Sequence, residues 1–251
     1  MPSLSLVNCL GMIIIGAPVG LVAILLTARF VPESRAPHPR RIDPVGQILV
    51  IVLLASLVYG IIEGPDAGWT SPEILGCFAL SALALTALIR YEPHRREPLI
   101  DLRFFRSAPF SGATVIAVSA FAALGGFLFL NTLYLQVARG MSPLHAGLYT
   151  LPMAAATAVF GPLSGRLVGR RGTRPSLIAG GIGMLVSALM LTSLSDTTGD
   201  AWLFTAYVVF GFGFGVINPP ITDTAVSGMP AAQAGVAAAV ASTSRQVGGS
   251  L

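Results

Sequence analysis

The chain has 251 residues, of which 54% are hydrophobic and only 10% are charged, and its mean hydropathy is +0.78. Soluble domains carry about 25% charged residues, so this composition excludes an ordinary soluble protein and predicts an integral membrane protein. The sequence pI of about 9.6 would suit nucleic-acid binding if the basic residues formed one soluble patch. They lie instead at the ends of apolar segments, so no nucleic-acid partner is expected.

Eight apolar segments follow one another along the chain. They run at 8–28, 45–62, 73–89, 109–135, 145–165, 176–194, 201–221 and 231–251. Crossing a hydrocarbon core of about 30 Å takes about 20 helical residues, so the pattern predicts seven spans and a candidate eighth. Lipid offers the backbone no hydrogen-bond partner, and the segments do not alternate as barrel strands do. The predicted fold class is therefore all-α, a polytopic transmembrane helix bundle.

Basic and acidic residues lie in alternate connections between the apolar segments. All of the fifteen basic residues except Arg139 and Arg245 follow the first, third or fifth segment, whereas acidic residues gather in the loops between. By the positive-inside rule, loops 33–44, 90–108 and 166–175 are predicted to be cytoplasmic, and the protein to be a multi-pass protein of the plasma (inner) membrane.

The sequence at each end of the chain resembles the interior of a longer membrane protein. No positive charge precedes the first apolar segment, and residue 251 falls inside an apolar run. The chain is therefore predicted to be a piece of a longer protein. Its two cysteines are too few and too far apart for a disulfide framework or a metal site, so no metal is expected.

The connection after the fifth segment carries a recognisable motif, GRLVGRRGTRPSL, residues 165–177. It resembles the signature loop of the major facilitator superfamily. The resemblance implies a conformational-switch loop, matched here by Gly165, Leu167, Arg170, Gly172 and Arg174. Gly169 stands where that family usually has an aspartate. The acidic partner in the ion pairs that lock the family's loop is therefore missing here. The alternative is that these arginines serve only to keep the loop on the cytoplasmic side, by the positive-inside effect.

Four further stretches are similar to one branch of that superfamily, the fourteen-helix drug/proton antiporters. They are 40–72 (RRIDPVGQ and onward), 98–110 (PLIDLRFFRSAPF), 134–148 (YLQVARGMSPLHAGL) and 235–251 (GVAAAVASTSRQVGGSL). The resemblance implies that the chain covers about helices six to thirteen. Residues 1–32 would then be the last helix of an N-terminal bundle, 33–108 two linking transmembrane helices with cytoplasmic loops, and 109–251 an incomplete C-terminal bundle.

The function implied by this resemblance is transmembrane transport, as proton-coupled efflux of drugs or other small molecules by alternating access. The implied partners are a small-molecule substrate, protons, the lipid bilayer and the missing N-terminal helices. A symporter or metabolite exporter of the same superfamily and a truncated, non-transporting membrane protein remain alternatives. No Asp, Glu or His lies near the middle of a segment, and no phosphate-cradling loop occurs, so neither enzymatic activity nor a cofactor is expected.

One charge is predicted to lie deep in the membrane. If the eighth segment enters the bilayer near Ala232, Arg245 lies about 20 Å along it. Such an arginine should face the bundle interior, because exposure to lipid is costly. If residue 251 is a true end, Arg245 would instead lie among headgroups. Polar residues near helix ends and interiors give the cavity candidates, each of which could equally form a helix–helix hydrogen bond: Asn131, Tyr134, Gln136, Asn218, Thr243, Arg245 and Gln246.

Overall fold

The computed structural model describes residues 3–30, 43–95, 102–195, 197–227 and 233–251, with the backbone alone for 3–16 and 102. Nine α-helices form the described part of the chain, which contains no strand, so the all-α prediction is confirmed. The helices are α1 (Ser3–Phe30), α2 (Pro44–Ala67), α3 (Pro72–Tyr91), α4 (Ala108–Leu133), α5 (Pro143–Tyr149), α6 (Leu151–Arg171), α7 (Thr173–Leu191), α8 (Asp200–Val226) and α9 (Ala234–Ser250).

Six helical segments are long and apolar enough to cross a membrane, and they coincide with the second to seventh predicted spans. They are Pro44–Ala67, Pro72–His94, Ala108–Ala138, Pro143–Arg171, Thr173–Leu191 and Asp200–Val226. The candidate eighth span corresponds to α9, whose 17 residues are fewer than the other six contain. Residue Ala232, its predicted entry point, lies outside the described residues.

Three helices begin in the same way, with a residue whose side chain caps the helix and a proline directly after it. Asp43, Ser71 and Ser142 each accept a hydrogen bond from a backbone N–H three residues later. The proline that follows each cap costs no hydrogen bond, since the first amide groups of a helix have no partner within it. The local sequence thus sets where α2, α3 and α5 start.

The connection 166–175, predicted as a loop, is largely helical, and this corrects the expectation. Helix α6 continues to Arg171, and α7 begins at Thr173. Gly172 alone joins them, with φ +79° and ψ 179°. Only glycine adopts this conformation without strain, which explains how the chain reverses in one residue.

The fifth predicted segment is also two helices, because α5 ends at Tyr149 and α6 starts at Leu151.

Contacts between residues divide the chain into two compact units, Met1–Arg41 and Ile42–Leu251. The first contains α1, in which Ala17–Phe30 is a short apolar helix with exposed side chains. The predicted loop 33–44 lies outside the described residues except for Asp43 and Pro44. The predicted domain boundaries at 32 and 108 stay predictions.

Helix α8 lies at the centre of the second unit and packs against α4, α6, α7 and α9. Its buried aromatic side chains form the core together with Phe127 of α4. Helix α9 packs mainly on α4, and α2 pairs with α3 as a hairpin. This arrangement places α4, α7 and α8 around the apolar cavity described next.

Candidate functional site

A cavity of about 470 Å³ lies between α4, α7 and α8, and hydrophobic side chains form most of its wall. Its volume falls within the range of small-molecule pockets, which combine apolar walls with a few polar groups. The lining residues are Ala123, Gly126, Phe127, Leu130, Asn131, Tyr134, Met184, Ala188, Leu191, Thr192, Leu194 and Phe210. Two of the predicted cavity residues, Asn131 and Tyr134, are therefore brought to one site.

Asn131 is held in this wall by a buried hydrogen bond. It is 7% exposed, and its Oδ1 accepts a short hydrogen bond from the hydroxyl of Tyr207, which is fully buried. The Tyr207 ring packs edge-on against Phe127, and Phe127 stacks on Phe210 with centroids 4.3 Å apart. Sequence reasoning missed Tyr207, since nothing in the apolar run of α8 shows that its hydroxyl would meet an amide from α4.

Tyr134 connects the cavity to a polar cluster at the Asp200 end of α8. It begins a π-helical turn, Tyr134–Ala138, and its hydroxyl donates to the Ser195 carbonyl at 2.8 Å. The same hydroxyl accepts from Arg139 Nε at 3.0 Å. Arg139 also contacts Asp200, with Nη1 2.8 Å from Oδ1. The Tyr134 hydroxyl is thus occupied by these contacts, and its ring is what it offers to the cavity.

Arg139 is the one basic residue in the connections where acidic residues gather, which are predicted to lie opposite the cytoplasmic loops. Its side chain is 9% exposed, and burial by itself would lower its pKa. The hydrogen bonds to Asp200 and Tyr134 outweigh this effect and raise the pKa of Arg139 above its ordinary value. The guanidinium therefore stays charged and ties the end of α4 to the start of α8.

Arg245 lies at a second polar site, where α9 meets α8. It is half-buried about 16 Å from the start of α9, and its Nη2 donates to Thr222 Oγ1 at 2.5 Å. The guanidinium carbon lies 5.8 Å from the ring centre of Phe121 on α4. No acid of the described residues pairs with it, and its Nε is buried without a hydrogen-bond partner. The guanidinium thus lies between α9, α8 and α4, and its depth in the membrane stays a prediction.

Asn218 accompanies Arg245 at the point where two prolines interrupt α8. Its carbonyl accepts from Arg245 Nη2 at 3.5 Å, and Pro219 and Pro220 follow it. Pro220 has no N–H to donate to the Val216 carbonyl, which instead accepts from Ser164 Oγ at 2.6 Å. A side chain from α6 thus replaces one backbone hydrogen bond at this break, and Arg245 of α9 contacts the turn that contains the two prolines.

The remaining cavity candidates lie apart from both sites. Gln136 is half-buried in the π-helical turn, and Gln246 is exposed on α9. Thr243 lines a different hollow, between α9, α4 and the α2–α3 hairpin. The structure therefore divides the seven candidates among several places, since helix register separates residues that are neighbours in sequence.

The switch-loop residues lie at the α6–α7 connection. Gly165, Arg170, Gly172 and Arg174 are exposed, and Leu167 is half-buried. Within the described part of the chain, neither arginine has an acidic partner. The switch role of this segment stays a prediction.

A further polar cluster joins the ends of α2 and α3, and sequence reasoning did not single it out. Asp43 is 3% exposed, and its Oδ1 accepts from the Gly46 amide at 3.1 Å and from the Tyr91 hydroxyl at 2.9 Å. Arg95 Nε lies 3.8 Å from Asp43 Oδ2. Burial would raise the pKa of Asp43, but these hydrogen bonds and the arginine charge together lower it below its ordinary value. The carboxylate is therefore held in its charged form.

The fold and the cavity together define a class of protein, the multi-pass helical membrane proteins with an apolar, small-molecule-sized hollow inside a helix bundle. The family is given by sequence comparison. The model of the Major Facilitator Superfamily matches residues 5–251, so the chain belongs to this family of transporters. It is a multi-pass protein of the plasma (inner) membrane.

Curated relatives match almost the whole chain. It is 35% identical over 237 residues to the multidrug resistance protein Stp of Mycobacterium tuberculosis, covering 94% of this chain and 44% of the relative. It is 36% identical over 242 residues to the tetracenomycin C resistance and export protein of Streptomyces glaucescens, covering 94% and 44%. The multidrug efflux pump LfrA of Mycolicibacterium smegmatis is 28% identical over 235 residues, covering 94% and 46%. The chain spans less than half the length of these relatives.

Proposed function

We propose that this chain forms the linking helices and C-terminal bundle of a proton-coupled drug exporter of the fourteen-helix branch. The observation that carries the proposal is its similarity, over 94% of its length, to relatives named for multidrug resistance and export. The apolar cavity between α4, α7 and α8 supports the same conclusion. Its aromatic walls suit lipophilic molecules, and its few polar groups suit orientation of the substrate.

The substrate contacts in this proposal come from two side chains of the cavity wall. Asn131 offers its amide nitrogen, since its Oδ1 is occupied by Tyr207. Tyr134 offers its ring to apolar groups, since the Arg139 guanidinium carbon already lies 5.2 Å from the ring centre. Asn218 of α8 and Arg245 of α9 act elsewhere in this mechanism, because they contact each other and do not line the cavity.

Arg245 is proposed to hold the proline break of α8 while the bundle moves. Its Nη2 reaches Thr222 just beyond the two prolines, and its buried Nε remains available to a further acceptor. An acid from N-terminal helices of the complete transporter would fit that donor and balance the charge. A helix that bends in the membrane needs donors for the carbonyls that its prolines free, and Ser164 of α6 supplies one to the Val216 carbonyl of α8.

The arginine-rich α6–α7 connection is proposed to be the cytoplasmic switch segment of the transporter. Its single glycine link keeps the two helix ends close, and its exposed arginines are available to a facing bundle. Proton coupling is assigned to helices other than those described here, since the six spans hold no acid at mid-depth.

An efflux assay tests the proposal. The chain is expressed in drug-sensitive bacteria with and without the N-terminal helices of a similar exporter, and export of a lipophilic dye is measured together with membrane abundance. We expect proton-dependent export only when both parts are present. Export by the chain alone in proteoliposomes would contradict the need for N-terminal helices, and no export from the combined parts at normal abundance would contradict the transport proposal.

Variants in the same assay address the two sites. Arg245→Ala should abolish export, and Arg245→Lys should restore it in part, because lysine lacks the planar donor fork. Arg90→Ala, at an exposed arginine in the last turn of α3, is the matched control and should export normally. Normal export by Arg245→Ala would show that this arginine is a tolerated charge.

A further inference from the structure

Two cavities meet between the α2–α3 hairpin and the bundle, and neither belongs to the proposed substrate site. The first, about 730 Å³, lies beside the last turns of α3 and the short 3₁₀ helix Leu102–Arg106. The second, about 380 Å³, lies between α2, α3, α4 and α9. Phe105 lines both of them, so they adjoin at this ring.

The first cavity has both basic and apolar walls. Arg103 and Arg106 line it and are exposed at the surface, opposite Leu85 and Ile89 of α3. Leu85 and Ile89 are 44% and 49% exposed, so they present hydrocarbon surface beside two positive charges. A ligand with a negative group next to an apolar portion is complementary to both walls, since guanidinium groups can donate several hydrogen bonds to one anion.

The second cavity continues the apolar wall deeper between the helices. Leu53 of α2, Leu88 of α3 and Val118 of α4 are among its lining residues. Two hydroxyl groups there are already used, since Thr114 donates to the Phe110 carbonyl and Ser244 to the Val240 carbonyl. The pocket therefore offers mainly hydrocarbon contacts, which suit an acyl chain.

The wall between the cavities is fixed by aromatic packing. The Phe105 ring meets the buried Phe110 ring edge-on, with centroids 5.1 Å apart, and Phe104 packs on Phe110 at 5.9 Å. Ser111 Oγ donates to the Phe105 carbonyl at 2.5 Å. The arginines on either side of Phe105 are thus carried on a segment attached to the start of α4.

We propose that an anionic phospholipid binds here, with its headgroup phosphate at Arg103 and Arg106 and one acyl chain in the hollow between the hairpin and α4–α9. The charge of the mouth selects an anionic headgroup, and the end-to-end order of basic and apolar cavities matches the two parts of a lipid. Both arginines belong to the predicted cytoplasmic loop 90–108, and anionic lipids of that leaflet attract basic residues at the membrane surface. The bound lipid joins the hairpin to the bundle.

Native mass spectrometry of the purified full chain tests this site, with phosphatidylglycerol and phosphatidylcholine of identical acyl chains as the probes. We expect preferential retention of one phosphatidylglycerol. Each arginine near an anionic headgroup contributes roughly a fivefold change in affinity, so the double variant Arg103→Gln/Arg106→Gln should bind about 30-fold more weakly. The double lysine variant should keep most of the affinity, because it keeps both charges.

Matched variants separate a specific site from general attraction. Arg170→Gln/Arg171→Gln removes two exposed arginines from the last turn of α6, away from both cavities, and should leave binding unchanged. Ala239→Phe fills the second cavity and should weaken binding although both arginines remain. Equal retention of the two lipids, equal losses in the two glutamine variants, or full binding by Ala239→Phe would overturn the proposal. Circular dichroism of each variant confirms that it is folded.

Discussion

The α6–α7–α8 group and the α2–α3 hairpin show two different ways of holding helices together in a membrane. More than half of the apolar stretch of α8, 56%, is buried, compared with 17% for α2 and 22% for the helix that contains α3. Glycine contacts bring α7 and α8 together, whereas a buried carboxylate joins the ends of α2 and α3. Lipid is as apolar as a leucine side chain, so close packing and polar contacts must supply the association.

The two groups of helices differ in how tightly they pack against their neighbours. The close contacts of α8 leave little freedom for its neighbours, and its proline break is supported by side chains from two helices. The hairpin has hydrogen bonds at both ends and in its middle, where Tyr91 donates to Asp43, Tyr59 to Glu73 and Ser81 to the Leu53 carbonyl, and it leaves cavities beside the bundle. Three changes test this comparison, from the largest expected effect to the smallest.

The largest effect is expected from Gly180→Leu in α7. A Cβ at this position would lie 2.8 Å from the Gly213 carbonyl oxygen and 2.8 Å from Ile217 Cβ of α8, so the helices must separate. Overpacking of this kind costs about 1–3 kcal/mol or more. Thermal unfolding in detergent should therefore show a large loss of stability.

Gly181→Leu is its matched control, since a Cβ there meets nothing within 4 Å. The free energy of unfolding should change by less than about 0.5 kcal/mol. Equal destabilisation by the two substitutions would mean that α7 and α8 do not depend on close packing at Gly180.

A smaller effect is expected from Tyr207→Phe, which removes the buried hydrogen bond to Asn131. Side-chain hydrogen bonds between membrane helices are worth about 0.6 kcal/mol on average and up to about 1.7 kcal/mol. We expect a loss within this range in the unfolding free energy, because Asn131 Oδ1 is left without its donor. Tyr149→Phe, at an exposed hydroxyl 3.0 Å from Asp200, should cost less. The reverse order would show that the cavity wall does not need this bond.

The smallest effect is a pH dependence that belongs to the hairpin. Because the folded pKa of Asp43 is lowered, its contribution to stability is present above the ordinary aspartate value of 3.8 and is lost as the pH falls below that value toward the lowered pKa. The stability gap between the wild type and Asp43→Asn should therefore narrow over this acidic window. A gap that stays constant through it would show that Asp43 is not held charged by Tyr91 and Arg95.

Hydrophobic segments and charge bias were enough to predict the helical class and six of the spans. Each depends on composition over about twenty residues, which the chain carries locally. Helix starts were equally local, as the Asp43–Pro44 and Ser71–Pro72 pairs show. The predicted loop at 166–175 was wrong because a single glycine with positive φ can reverse the chain while both helices continue.

The candidate site was predictable only in part. Asn131 at the end of α4 and Tyr134 at the start of the π-helical turn are three residues apart, so their shared cavity follows from local spacing. Tyr207 could not be predicted, since its hydroxyl meets Asn131 across 76 residues of sequence. Thr243 and Arg245 are two residues apart on α9 and therefore face different neighbours.

What the sequence by itself determined was how the chain meets the membrane: which segments are apolar enough to cross, which ends are basic, and where caps and prolines begin the helices. Those properties depend on solvation and short-range sterics, which act on neighbouring residues. Only the tertiary structure decided which polar groups meet, as Asp43 does with Tyr91 and Arg245 with Thr222. In an apolar medium such pairs are selected by helix register and close approach, and these are properties of two helices together.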